Sequence, residues 1–360
     1  MSSNPMACLS SMPWHVKEGI VKKTHGLTRL SLRNYSKEFR TFIDKTPITF
    51  SKISFSIFKN QITLSFTDSS NHITSQEHKK VTAAVSNFTR IFFDPNVQIR
   101  IGELEFTSDK KHRENNVTPE YQRLRRVFFA VLGQKLTDLE LIEKLHVKVF
   151  KINLPVSLRD IPLVLEHLKP VVLEKIHIFL MNDFYGEFIG TVNLKQFQEA
   201  KEFRIGRFDR GTLYHLQHFQ SSRIHNFRMD FFIMDLCIKR FFMMGDFFHN
   251  MHLSNVHRDL DYFRRRLIED LNPRIEGNVM MIDAPIHMPN RGTLCFDFFR
   301  DGVHIYNYKY KERYENMEET PEEKKLMEEA DEFRDEYERE WYNDGVSSFE
   351  KFSKSSGTSA

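Results

Sequence analysis

A chain of 360 residues is long enough for one large core or for about two domains. Its 40% hydrophobic and 28% charged residues exclude a disordered or fibrous chain, and phenylalanine, at 34, is heavily over-used. The formal charge of +3, from 52 basic against 49 acidic residues, excludes a bulk field that would by itself select nucleic acid or a membrane surface.

The first ~45 residues carry helical periodicity. Val16, Ile20 and Val21 mark one apolar stripe, Leu27, Leu30 and Leu32 a second, and Tyr35, Phe39, Phe42 and Ile43 a third, with Gly26 and Asn34 as breaks. Helices this short cannot enclose a core among themselves, so residues 9–46 form a helical motif that must lean on something else. From Ile48 the period changes to two. Ile53, Phe55 and Ile57, then Ile62, Leu64 and Phe66 beyond Lys59-Asn60, predict a β-hairpin. Residues 96–106 alternate as a further strand. Thr118-Pro119-Glu120 predicts a helix start, Tyr121, Leu124, Phe128, Val131 and Leu132 its buried stripe, and Gly133 its stop.

The middle of the chain repeats one theme. Strands are predicted at 146–154, 173–180, 202–208 and 224–230, with helices opening at Asp160-Ile161-Pro162 and over 193–201 and 212–219. Strand starts recur within the leucine-rich-repeat range of roughly 20 to 29 residues. Such a unit cannot bury its apolar face alone, so copies stack. The fold class this predicts is α/β: a short N-terminal three-helix motif, an irregular leucine-rich-repeat-like solenoid over 47–310, and a C-terminal β-hairpin over 292–310 turning at Arg300-Asp301-Gly302. A doubly wound sheet is the alternative, though no G-x-G-x-x-G or GK[ST] phosphate loop accompanies it. Residues 254–271 are predicted helical. Residues 311–345 form an acidic helical segment and 346–360 a disordered tail.

Three cysteines without a CxxC pair fit neither a disulfide framework nor a zinc ribbon. With no basic, apolar leader and no run of ~18 apolar residues, the expectation is a cytoplasmic or nuclear protein with no membrane partner. The stretch 231–248 reads as core helix because Asp235, Lys239, Arg240 and Asp246 interrupt it.

No catalytic constellation emerges. His215 with His218, and His249 with His252 near His257, share helix faces, but no cysteine or H-E-x-x-H joins them, so no metal site is expected. Asp230, Asp235 and Asp246 show no pairing as general acid and base, and no G-x-S-x-G elbow occurs, so the chain is not expected to be an enzyme or to carry a cofactor. Arg264-Arg265-Arg266, with Arg223, Arg228 and Lys239-Arg240, are basic, but a solvated helix face over inward Leu260, Phe263 and Leu267 accounts for the triplet, and nucleic acid is not an expected partner.

The stretch MPWHVKEGIVKKTHGLTRLSLRNYSKEFRTFID (12–44) has an ordered set of positions: Pro13, Val16, Ile20, Leu30, Leu32-Arg33, Ser36-Lys37, Phe39-Arg40 and Ile43-Asp44. It resembles the F-box, which anchors substrate receptors to SCF-type ubiquitin ligases. The runs at 141–178 and 288–307 extend the resemblance to nematode F-box proteins with an FTH (FOG-homology) domain. This resemblance implies a substrate receptor whose partners are a Skp-family adaptor, the cullin scaffold behind it and an unidentified protein target. The adaptor-binding residues it implies are Pro13, Val16, Ile20, Leu27, Leu30, Leu32, Ser36, Phe39 and Ile43. An interaction module unrelated to ubiquitin, with the N-terminal helices acting as a cap, is the alternative.

Overall fold

The structure, a computed structural model, describes residues 12–35, 37–58, 61–92, 97–108, 119–141, 143–154, 159–178, 189–206, 216, 218–225, 238, 250–254, 260–283, 292–299 and 302–310. The predicted acidic segment, the tail, and the stretch 231–248 apart from Ile238 lie outside these residues.

Three helices open the fold: α1 (Trp14–Lys23), α2 (Gly26–Tyr35) and α3 (Lys37–Asp44). The alternating residues that follow form β1 (Ile48–Phe58) and β2 (Gln61–Asp68), paired antiparallel as the period predicts. Two elements not read from the sequence come next, β3 (Ile73–His78) and α4 (Val81–Arg90). Then come β4 (Ile99–Ser108), α5 (Pro119–Asp138) and β5 (His146–Asn153). Short crossovers follow: α6 (Pro162–Leu165), β6 (Lys175–Ile178), α7 (Ile189–Val192), α8 (Lys195–Glu199) and β7 (Glu202–Ile205). The chain continues through β8 (Ser221–His225), β9 (Asn250–Ser254) and α9 (Leu260–Leu271). It finishes with β10 (Arg274–Glu276), β11 (Val279–Asp283), β12 (Thr293–Phe299) and β13 (Gly302–Asn307).

The thirteen strands of the described residues join one mixed sheet in the order β10-β11-β12-β13-β9-β8-β7-β6-β5-β4-β1-β2-β3. Its middle is parallel from β1 and β4 through β9, with β4 to β9 side by side in chain order. Both ends are antiparallel, and the predicted hairpin β12-β13 pairs against β9 and so covers one end of the parallel run.

Three local readings are corrected. Gly133 does not stop α5; it lies inside the helix, where an added Cβ would come within 2.8 Å of the Leu163 carbonyl, so it serves the close approach of α5 to α6. The strand predicted at 224–230 begins instead at Ser221, and Ser254, predicted to open a helix, closes β9. Asn34 continues α2 rather than ending it.

One face of the sheet holds the core. Phe55 of β1, Phe106 of β4 and Phe150 of β5 stand under Phe88 of α4 and Phe128 and Phe129 of α5, with Phe55 and Phe106 stacked at 5.4 Å between centroids. Further along, Phe197 of α8 meets both Phe203 of β7 and Phe219 edge-on. Phe263 of α9 covers Phe296 and Phe298 of β12, and Leu267 is buried beside it, as the spacing in the Arg264 to Arg266 helix predicts. Each such ring removes 150 Å² or more of apolar surface from water, on the order of 2–3 kcal/mol, which explains the over-use of phenylalanine.

The inward alternation breaks once, in register across three strands. Phe50 and Ile53, Ile101 and Leu104, and Val147 and Phe150 all point to the core, so Ser51, Gly102 and Lys148 are extra residues lying side by side. Gly102 is required there, since a Cβ would sit 2.5 Å from the Ser51 carbonyl oxygen.

Candidate protein-interaction surfaces

The N-terminal helices have an inner and an outer side. On the inner side Val21, Phe39 and Ile43 join the main core with Ile48 and Phe50 of β1, and Gly26 lets α2 rest on the Phe50 ring. Polar ties fix the three helices to each other and to the sheet. Arg33 donates through Nε and a terminal nitrogen to the two oxygens of Asp44, at 2.5 and 3.0 Å, a bidentate pair joining α2 to α3. Lys17 of α1 pairs with Glu38 of α3, and Arg29 donates to the Thr46 carbonyl at 3.2 Å. His25 bonds Asp68 of β2 and stacks on His72. Burial opposes ionisation of Asp68, but bonds from Ser70, His25 and the His72 amide outweigh it and hold the carboxyl well below the usual carboxylate range.

Several large apolar side chains of these helices stay exposed. Trp14 is 51% exposed, Val16 37% and Tyr35 64%, and the Trp14 ring packs edge-on against Phe42 at 5.7 Å. Of the residues implied in adaptor binding, Pro13 and Val16 are exposed, and Ile20, Leu27, Leu30 and Leu32 are half-buried. Phe39, 4% exposed, and Ile43, fully covered, lie in the chain's own core, and Ser36 is outside the described residues. Trp14, which the sequence reading passed over, is also exposed; its place in the first turn of α1, ahead of the Val16, Ile20 and Val21 stripe, was its only signal. Leu27 and Leu30 also line a cleft of about 660 Å³ between α2 and α4, with Phe66, Gln76, Asn87 and Arg90 on its far wall.

The second face of the sheet is polar. Because side chains alternate, the same strands that bury phenylalanine present Lys52, Glu103, Glu105, Lys151, Lys175, His177, Glu202, Arg204, Arg223 and His252 on this side. Lys52 pairs with Glu103 at 2.8 Å and Glu105 at 2.6 Å, and Asn153 donates to Glu105 at 2.8 Å. Glu202 is a hub, accepting from Lys175 at 2.7 Å, His177 Nε2 at 3.1 Å and Arg204 Nε at 2.5 Å. Burial would raise the Glu202 pKa, but the His177 hydrogen bond, the Arg204 guanidinium and the Lys175 ammonium together hold it well below the usual range. His177 itself is pushed down by burial, which outweighs the opposing hydrogen bond to Glu202. Toward the β11 end, Met281, Cys295 and Tyr306 form a separate apolar cluster.

Among the described residues no group of three or more histidine, cysteine, aspartate or glutamate side chains is placed to hold a metal. Of the histidines considered in the sequence, His218 bonds the Phe197 carbonyl and packs on Phe197 and Phe219, and His252 stacks on Phe299; His215, His249 and His257 lie outside the described residues, as do Asp230, Asp235 and Asp246. No described helix is long and apolar enough to cross a membrane.

Residues 134–267 match the FTH domain family. The similarity covers little more than a third of the chain, from within α5 into α9, and takes in every strand from β5 to β9. No curated protein and no solved structure matches the chain.

Proposed function

We propose that the chain is a non-enzymatic substrate receptor of an SCF-type ubiquitin ligase, working in the cytoplasm or nucleus. In this reading α1 to α3 are an F-box that binds a Skp-family adaptor, and through it the cullin scaffold, while the following domain, an irregular leucine-rich-repeat-like solenoid, holds a protein target. The observation that carries it is the two-sided N-terminal unit: three helices in the expected order, anchored from within by Phe39 and Ile43, with Trp14, Val16 and Tyr35 left open on the outside. Large apolar side chains left exposed on packed helices are the kind of surface that a protein partner covers. The FTH domain lends support, since it is associated with F-box proteins in general, and β4 to β9 stacked in chain order support a solenoid. On this geometry Pro13, Val16, Ile20 and Trp14 make the contact, Leu27, Leu30 and Leu32 flank it, and Phe39 and Ile43 position the helices.

A purified Skp-family adaptor should co-elute with the full chain and be lost from the double variant Trp14→Asp/Val16→Asp, both of whose sites are exposed and whose fold should be unchanged by circular dichroism. Equal recovery with both proteins rejects the reading. The burial of Phe39 and Ile43 against the chain's own sheet favours one competitor, an interaction module in which these helices only cap the sheet, and that competitor predicts equal recovery.

A further inference from the structure

The sheet has two outer edges, and they are guarded differently. At one, β10 is three residues long and Arg274 and Glu276 flank Ile275. Brevity and charge of this kind keep a sheet edge from pairing with another chain. At the other, β3 runs for six residues in unbroken register with β2, without proline, lysine or bulge. The turn before it sets which backbone groups are left over. The Asp68 amide donates to the His72 carbonyl at 3.1 Å, and bonded pairs recur from there at every second residue, at Thr74, Gln76 and His78. The amides and carbonyls of Ile73, Ser75 and Glu77 therefore point away from the sheet, where no described strand meets them.

The side chains at these three positions define what fits beside them. They stand on the second face, opposite Thr67, Ser65 and Thr63 of β2, and all three are exposed, Ile73 by 61%. Ser75 ends a row of hydroxyls with Ser54 and Ser65, and the Ser65 and Ser75 oxygens lie 2.9 Å apart. Lys79 and Lys80 follow β3, both exposed. Cross-strand pairs are favourable between apolar β-branched residues, between hydroxyls and between opposite charges. The matching neighbours are therefore a valine or isoleucine beside Ile73, a threonine or serine beside Ser75, a basic residue beside Glu77 and an acidic one beside Lys79. An antiparallel strand presents them in the reverse order.

We propose that β3 is a docking edge for an extended segment of another protein, which adds antiparallel to it as a further strand and carries acidic, basic, hydroxyl and β-branched side chains, in that order, at alternate positions. Main-chain hydrogen bonds supply the affinity of such a contact, and the alternate side chains select the partner. The proposal goes beyond the ligase reading, since the edge takes this segment whether or not the N-terminal helices bind an adaptor.

The fluorescein-labelled peptide Glu-Thr-Lys-Thr-Thr-Thr-Val tests it with the full chain. Fluorescence polarisation should show saturable binding, and hydrogen exchange followed by mass spectrometry should slow across residues 72–80 when the peptide is added. Ser75→Pro removes an outward amide while leaving the bonds to β2, so it should weaken binding about tenfold or more. Ile73→Lys/Ser75→Lys keeps every amide but takes away the apolar and hydroxyl partners and guards the edge with charge, and should weaken binding as well. Circular dichroism of both variants should match that of the unaltered chain. Absence of binding, unchanged exchange at 72–80, equal affinity for the peptide with its order reversed, or undiminished binding by the folded variants overturns the proposal. A chain that sediments as a dimer and becomes a monomer on Ser75→Pro overturns it too, since the occupant is then a second copy. Adaptor co-elution with Ser75→Pro should be unchanged, so failure of this contact and failure of the F-box reading are seen separately.

Discussion

The two faces of the sheet are built from alternate residues of the same strands, yet they obey different rules. On one, Phe55, Phe106 and Phe150 are sealed under α4 and α5 and contribute through volume and shape. On the other, Lys175, His177 and Arg204 contribute through charge and hydrogen bonds gathered on Glu202. The first face is held by packing and the second by ion pairs and hydrogen bonds, so substitutions should separate along that line.

The largest effect should come from the buried side. Phe106→Ala removes a ring that touches Phe55, Phe128, Phe129 and Phe150 and should cost about 3–5 kcal/mol, read as a lower urea midpoint. Next is acid. His177 and His167 are both held below their ordinary value of 6.5 by burial, so the unfolded chain takes up protons that the folded one refuses. Their contribution is complete above pH 6.5 and is lost as the pH falls below it, by up to about 1.4 kcal/mol per pH unit for each imidazole. Thermal melts at pH 7 and pH 5 should show the drop. Glu202, whose pKa is also depressed, adds its own loss in the same direction at lower pH, below about 4.5.

Gly102→Ala should cost about 1–3 kcal/mol, because the new methyl meets the Ser51 carbonyl rather than a side chain that can turn away. The smallest change is expected at Lys175→Gln, which breaks a partly exposed pair with Glu202 and should cost less than about 1 kcal/mol in the same urea assay. A Lys175→Gln effect as large as that of Phe106→Ala would erase the distinction between the faces.

What could be read in the sequence follows from how each pattern is generated. Elements with a clean period were legible: the stripes of α1 to α3, the β1-β2 hairpin, α5, and the β12-β13 hairpin about Gly302. The edge strand β3, ITSQEH, was not, because both its faces are at least partly exposed and it keeps no hydrophobic alternation. The strand β9 was missed because only Met251 and Leu253 of its five residues carry the signal, beside a much more apolar stretch. The side-by-side row on the second face was invisible for a different reason. Lys151, His177, Arg204, Arg223 and His252 follow no fixed spacing in sequence, and only the register of five strands brings them together. The open side of the N-terminal unit was half-legible: the helical stripes named its residues, but only the packing shows that Phe39 and Ile43 turn inward while Trp14 and Val16 do not.

The shared irregularity at Ser51, Gly102 and Lys148 acts on these strands as a phase shift acts on a wave. The extra residue in each strand is matched by the one beside it, so the ladder across the three strands stays in step. Deleting Ser51, Gly102 or Lys148 from a single strand would restore plain alternation there but leave the neighbouring strand's extra residue unmatched, and ladder hydrogen bonds with it. This part of the chain can therefore change by substitution far more readily than by insertion or loss, and related chains should keep their lengths in step across all three strands.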